Sequence, residues 1–121
     1  VITASHAKQV AIEVFVGDAY LRLCAPIWSW EVPEVFCKIG LPKVCPKTSV
    51  FQSNGSIRWR IDNLICDNDE DVALAHVFAD ALEKSEYLDE MLLQPGQILI
   101  ADNWYAMHAR KHFTDPQRLY Y

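Results

Sequence analysis

The sequence predicts a mainly β fold with flanking helices, an α+β arrangement of the sandwich or jelly-roll type. Three observations predict it. Short β-rich runs are separated by long connections, two amphipathic helical patterns accompany them, and the order helix, strands, helix, strands shows no internal repeat. A chain of 121 residues holds one domain at most. Its residues are 51% apolar and include four Trp, five Tyr and five Phe, enough to fill a core and to exclude intrinsic disorder.

The first helix is expected over Ala4 to Val16. Ala7, Val10, Ala11, Val14 and Phe15 recur at spacings of three and four, with Ser5 as the expected N-cap and Gly17 as the stop. Asp18 to Leu23 adds a short helical turn. Beyond Pro26 the pattern turns β-rich in Ile27-Trp28-Ser29-Trp30-Glu31-Val32. Glu34 to Lys47, with Gly40 and its prolines, reads as a loop. Ser49 to Gln52 and Ile57 to Asp62 read as strands joined by the turn Ser53-Asn54-Gly55-Ser56, since Asn-Gly tolerates positive φ. In the second of these strands apolar Ile57, Trp59 and Ile61 alternate with charged Arg58, Arg60 and Asp62, the mark of a half-buried strand.

Asp67-Asn68-Asp69-Glu70-Asp71 precedes a second helical stripe of Val72, Leu74, Ala75, Phe78, Ala79 and Leu82. Carboxylates suit the free amides and positive dipole of a helix start, so a helix is expected from about Glu70 to Lys84. The cluster lacks the glycine and the spaced glutamate of a calcium loop. Tyr87 to Leu93 reads as a short helix or an edge strand. Pro95-Gly96 is a turn, Gln97 to Asp102 a strand, and Asn103 to His108 a turn with a short segment. A polar loop runs from His108 to Gln117, and Arg118 to Tyr121 opens a last strand.

The net charge of −5, with Lys and Arg scattered among acidic residues, excludes a nucleic-acid footprint. No apolar run approaches a membrane span, and Val1 to His6 lack a secretory pattern. Cys24, Cys37, Cys45 and Cys66 contain no C-x-x-C pair, so a zinc ribbon is not expected. Free thiols in a cytoplasmic protein are. The start at Val1 and the finish inside the apolar run Leu119-Tyr120-Tyr121 are the expected marks of a piece of a longer chain.

The chemistry concentrates at the C-terminal end. Pro95-Gly96 is followed by the apolar Ile98-Leu99-Ile100, then Asp102-Asn103, four residues, His108, the small Ala109 and Arg110, with Arg118 further on. This pattern resembles the C-terminal signature of the taurine dioxygenase and clavaminate synthase-like family. The resemblance runs from about Asp18 to Tyr121, and the last third is the specific part. It implies a double-stranded β-helix, present in part: residues 1–121 would be the C-terminal portion of a jelly-roll oxygenase domain. It also implies an Fe(II)/2-oxoglutarate-dependent oxygenase, which uses dioxygen to hydroxylate or desaturate a small, amino-acid-like molecule.

By the same resemblance His108 is an iron ligand and Arg118 binds the far carboxylate of 2-oxoglutarate. An always-charged, bidentate donor suits that second task. Trp104, Met107 and Arg110 flank the ligand position as substrate-pocket candidates. The family's other two ligands form a His-x-Asp or His-x-Glu pair, and the chain departs from the pattern here. His6 is followed by Ala7-Lys8, His76 by Val77-Phe78 and His112 by Phe113-Thr114. The pair is expected upstream of Val1. Two other readings compete with the oxygenase: a non-catalytic jelly-roll module for binding or assembly, and a cupin-like metal protein without 2-oxoglutarate.

Overall fold

The structure, a computed structural model, describes residues 1–37, 40 and 42–110. Helix is its larger component. Strand β1 (Ile2–Thr3) leads into α1 (Ala4–Val14) and α2 (Asp18–Cys24). Strand β2 (Ser29–Trp30), a 3-10 turn (Glu34–Phe36), β3 (Leu64–Ile65), α3 (Asp69–Glu83) and β4 (Ala106–Met107) follow. The α+β character stands. The mainly β expectation does not, because each described strand is two residues long and the strands form two separate two-stranded sheets. The described residues close no barrel.

α1 buries Ala4, Ala7, Val10 and Ala11, an apolar stripe at helical spacing whose three alanines are small enough to let another helix approach. The stripe begins at Ala4, one turn before the expected Ala7, and the cap is Thr3 rather than Ser5: the Thr3 hydroxyl accepts from the His6 amide at 3.2 Å. The helix ends before Gly17. That glycine sits at φ 66°, where it breaks the chain direction between α1 and α2. Val14, expected in the stripe, is exposed.

β2 is the centre of one sheet region. Ser29 pairs with Ile65 and Trp30 with Leu64, antiparallel, while bridges from Trp28 to Thr48 and from Glu31 to Val44 flank the same segment on its other side. The expected strand at 27–32 is thus present, and part of the expected 34–47 loop supplies one of its neighbours. The Asn-Gly turn also forms. Gly55 has φ 86°, the Gln52 amide donates to the Ser56 carbonyl at 3.0 Å, and Phe51 bridges Ile57. The strand read from Ile57 to Asp62 goes no further than that bridge. Its alternation is expressed in burial as far as Arg60: Ile57 is buried and Trp59 half-buried, Arg58 and Arg60 face solvent, and Ile61 breaks the pattern by being exposed.

α3 starts one residue before the expected range. Asn68 is its N-cap and accepts from the Asp71 amide at 2.8 Å. Ala75, Phe78 and Leu82 are its buried stripe, and Val72 is exposed. α1 and α3 pack on each other, and Phe78 gathers the aromatic core. Its ring lies 4.8 Å from Trp59, 5.9 Å from Phe51 and 6.3 Å from Phe15, centre to centre.

Asp71 has a partner that its place in an acidic run did not reveal. Its two carboxylate oxygens accept from Arg22 Nε at 2.6 Å and Arg22 Nη2 at 2.7 Å, a bidentate clamp between α2 and the start of α3. The Arg22 hydrogen bonds hold the Asp71 carboxyl below the ordinary carboxylate range, against the opposing effect of burial. Its folded-state pKa is therefore depressed relative to the unfolded chain. The stabilisation is present above the ordinary value of about 4 and is lost as pH falls through the lower folded value. Asp71→Asn should lower the thermal midpoint at neutral pH. The gap from the parent should close as pH drops below about 4, and a gap of constant size across that range would show that the carboxylate charge is not what matters.

Two further expectations fail. Tyr87 to Leu93 is neither helix nor strand; after a turn at Ser85 to Leu88, the Asp89 amide donates to the Val1 carbonyl at 2.8 Å. The strand expected at Gln97 to Asp102 is not formed. No described segment lies beside it to complete a ladder, and Ile98 and Ile100 are 82% and 90% exposed. The expected loop after Arg110 and the strand from Arg118 to Tyr121 lie outside the described residues.

Candidate functional site

The segment carrying His108 is built from the turn before it. Pro95-Gly96 turns as expected, with Gly96 at φ 88° and the Gln97 amide donating to the Gln94 carbonyl at 3.0 Å. Asp102 then organises a second turn. Its side chain accepts from the Trp104 amide at 3.0 Å, and its carbonyl accepts from the amides of Tyr105 at 3.0 Å and Ala106 at 2.8 Å. The turn delivers β4 to β1, antiparallel, with Ile2 opposite Met107 and Thr3 opposite Ala106. The Ala4 amide closes the pairing on the Tyr105 carbonyl at 2.7 Å.

That register decides where the candidate residues face. Met107 packs against the core formed around α1 and α3. His108, next along, is exposed directly after the strand. Trp104 is 57% exposed, and the Arg58 guanidinium carbon lies over its ring at 5.6 Å from the centre. Arg110 is exposed and held by an interaction of its own. Met107 is therefore core packing more than pocket wall, whereas Trp104 presents a ring to solvent. Arg118 and His112 lie outside the described residues.

The other histidines belong elsewhere. His6 stacks on Tyr87 with ring centres 4.8 Å apart. His76 lines a small cavity of about 70 Å³ with Ile61, Leu64, Cys66, Val72 and Ala75. Burial first, and then Asp71 and Asp67, push the Cys66 thiol up, which disfavours a reactive thiolate there. The four cysteines are free. No helix among the described residues is long and apolar enough to cross a membrane.

The family model for taurine catabolism dioxygenase TauD, TfdA family matches residues 23–121, most of the chain. The chain belongs to this family. The TauD/TfdA match covers the hairpin, α3, the Asp102 turn and β4 together. It places the protein in the Fe(II)/2-oxoglutarate-dependent dioxygenase superfamily, whose reaction takes dioxygen and a small-molecule substrate. Neither the curated proteins nor the solved structures give a match.

The donor set does not by itself fit an iron(II). Among the described residues no three His, Cys, Asp or Glu side chains come together. His108 supplies one imidazole, and a single neutral imidazole does not hold iron(II) against water; the metal type needs two His and a carboxylate on one face. The residue that sequence reasoning missed is Arg58. Its place in the alternating 57–62 run announced exposure only, and its proximity to Trp104 depends on a long-range backbone bond, from the Ile57 amide to the Trp104 carbonyl at 2.9 Å.

Proposed function

We propose that residues 1–121 are the C-terminal portion of a jelly-roll Fe(II)/2-oxoglutarate-dependent oxygenase domain, acting on a small, amino-acid-like molecule by hydroxylation or desaturation. The observation that carries the reading is the family match over residues 23–121, which takes in the exposed His108 at the end of β4. In this reading His108 is one iron ligand and Arg118 the bidentate anchor for the far carboxylate of 2-oxoglutarate. The ligand pair His-x-Asp or His-x-Glu belongs to sequence preceding Val1. The iron and co-substrate, when bound, supply the oxidising chemistry. The part of this chain is to hold an imidazole at the end of a paired strand and to fix a carboxylate.

The test uses the intact, full-length protein. Anaerobic addition of iron(II) and 2-oxoglutarate should produce the visible charge-transfer absorption of the chelate. Folded, full-length protein that gives no such band would defeat the reading.

A further inference from the structure

Arg58 and Trp104 are far apart in sequence and are brought together by the backbone. The Ile57 amide donates to the Trp104 carbonyl at 2.9 Å, and the Arg58 amide to the Val50 carbonyl at 2.8 Å. Ile57 is buried, so Arg58 leaves a fixed point on the hairpin. Trp104 is fixed in turn by Asp102, whose carboxylate accepts its amide. The Arg58 guanidinium carbon then stands over the indole, 5.6 Å from the ring centre, within the range of a cation–π contact.

Arg58 differs in its partners from Arg22 and Arg60. Arg22 is clamped by Asp71, and Arg60 lies 3.9 Å from Asp62. Among the described residues no carboxylate forms an ion pair with Arg58. An indole engages a guanidinium through its π face and accepts none of its five N–H donors in the way a carboxylate does. The cation is thus positioned and its hydrogen-bonding capacity is left for a partner from outside, and a carboxylate fits that fork bidentately. The platform belongs to the turn that feeds β4. His108 stands four residues beyond Trp104, a reach of at most about 13 Å along extended chain.

We propose that Arg58, seated on Trp104, is a specificity residue that binds a carboxylate of the substrate. The assignment of that carboxylate to a substrate rests on the oxygenase reading; the binding itself does not.

The experiment follows the side-chain Nε–Hε resonance of Arg58 in the intact, nitrogen-15-labelled protein, assigned by its loss in Arg58→Lys. Propionate and the neutral, similarly shaped propionamide are the probes, at constant ionic strength. Propionate should move the Arg58 signal saturably and propionamide should not, with no saturable change at Arg22 or Arg60. Trp104→Leu, which removes the platform and leaves Arg58 in place, should weaken propionate binding on the order of threefold to tenfold. Equal responses to the two probes, or the same response at every exposed arginine, would overturn the proposal. So would an Arg58→Gln protein that loses the 2-oxoglutarate charge-transfer band yet still binds propionate, since Arg58 would then serve the co-substrate. A saturable, propionate-specific shift in a protein that gives no such band upholds the carboxylate site and removes the oxygenase reading instead.

Discussion

Phe78→Ala is expected to lower stability by about 3–5 kcal/mol, the usual cost of emptying a buried aromatic site. Phe78 has no exposed surface. Its ring is met edge-on by Trp59 and Phe51 from the hairpin and at a tilt by Phe15 from the end of α1. Three separate segments therefore lose their common contact at once. Within the hairpin the ladder is a single bridge, and the strands elsewhere are two residues long, so side-chain packing carries much of the cohesion between these segments. Domains of ordinary size are stable by only about 5–15 kcal/mol, so the loss is a large fraction of the total. Denaturant unfolding of the parent and the variant provides the check. Phe78→Leu, which keeps most of the volume, should cost less. An unchanged midpoint for Phe78→Ala would mean that the aromatic cluster does not unite these segments.

How much of this was legible in the sequence follows from the range of each interaction. Helices are local, and the ends of α1, α2 and α3 fall within two residues of where the sequence pattern puts them. The Asn54-Gly55 and Pro95-Gly96 turns are local too, and both form because the glycine supplies a positive φ. Asp102 is legible for the same reason, since it bonds an amide two residues away. Apart from the α1 cap, the failures that matter most are non-local. Ile98-Leu99-Ile100 has the composition of a strand, but composition cannot say whether a neighbour lies alongside, and no described segment does. The acidic run at 67–71 predicted a helix start correctly. It gave no sign that Asp71 alone would be buried and clamped by Arg22, a residue on another helix.

The candidate site divides along the same line. His108 was found by its place in a motif, and the structure adds that it follows a paired strand and is exposed. The motif also named Met107 for the pocket, while packing turns that side chain to the core. Arg58 has no motif. It matters only because the 57–58 and 102–105 segments meet, and a one-dimensional pattern does not record that meeting.

The proposed roles of His108 and Arg118 separate most sharply when iron and 2-oxoglutarate are measured independently in the intact protein. Arg118→Ala removes a charge-assisted, two-pronged contact to the far carboxylate, worth about 1.5–3 kcal/mol for hydrogen bonds to a charged group. 2-Oxoglutarate should then bind roughly tenfold to a hundredfold more weakly by titration of the charge-transfer band, while iron(II) retained on equilibrium dialysis stays at the parent level. His108→Ala acts in the other order. It takes away a direct ligand, so iron affinity should fall by more than the roughly hundredfold associated with losing an outer partner of a ligand, and the chelate is lost with the metal. Two different side chains then give two different signatures, and each can fail alone. Iron and 2-oxoglutarate falling together in Arg118→Ala would make that arginine a structural residue. Iron held undiminished in His108→Ala would place the metal, and with it the active centre, away from the end of β4.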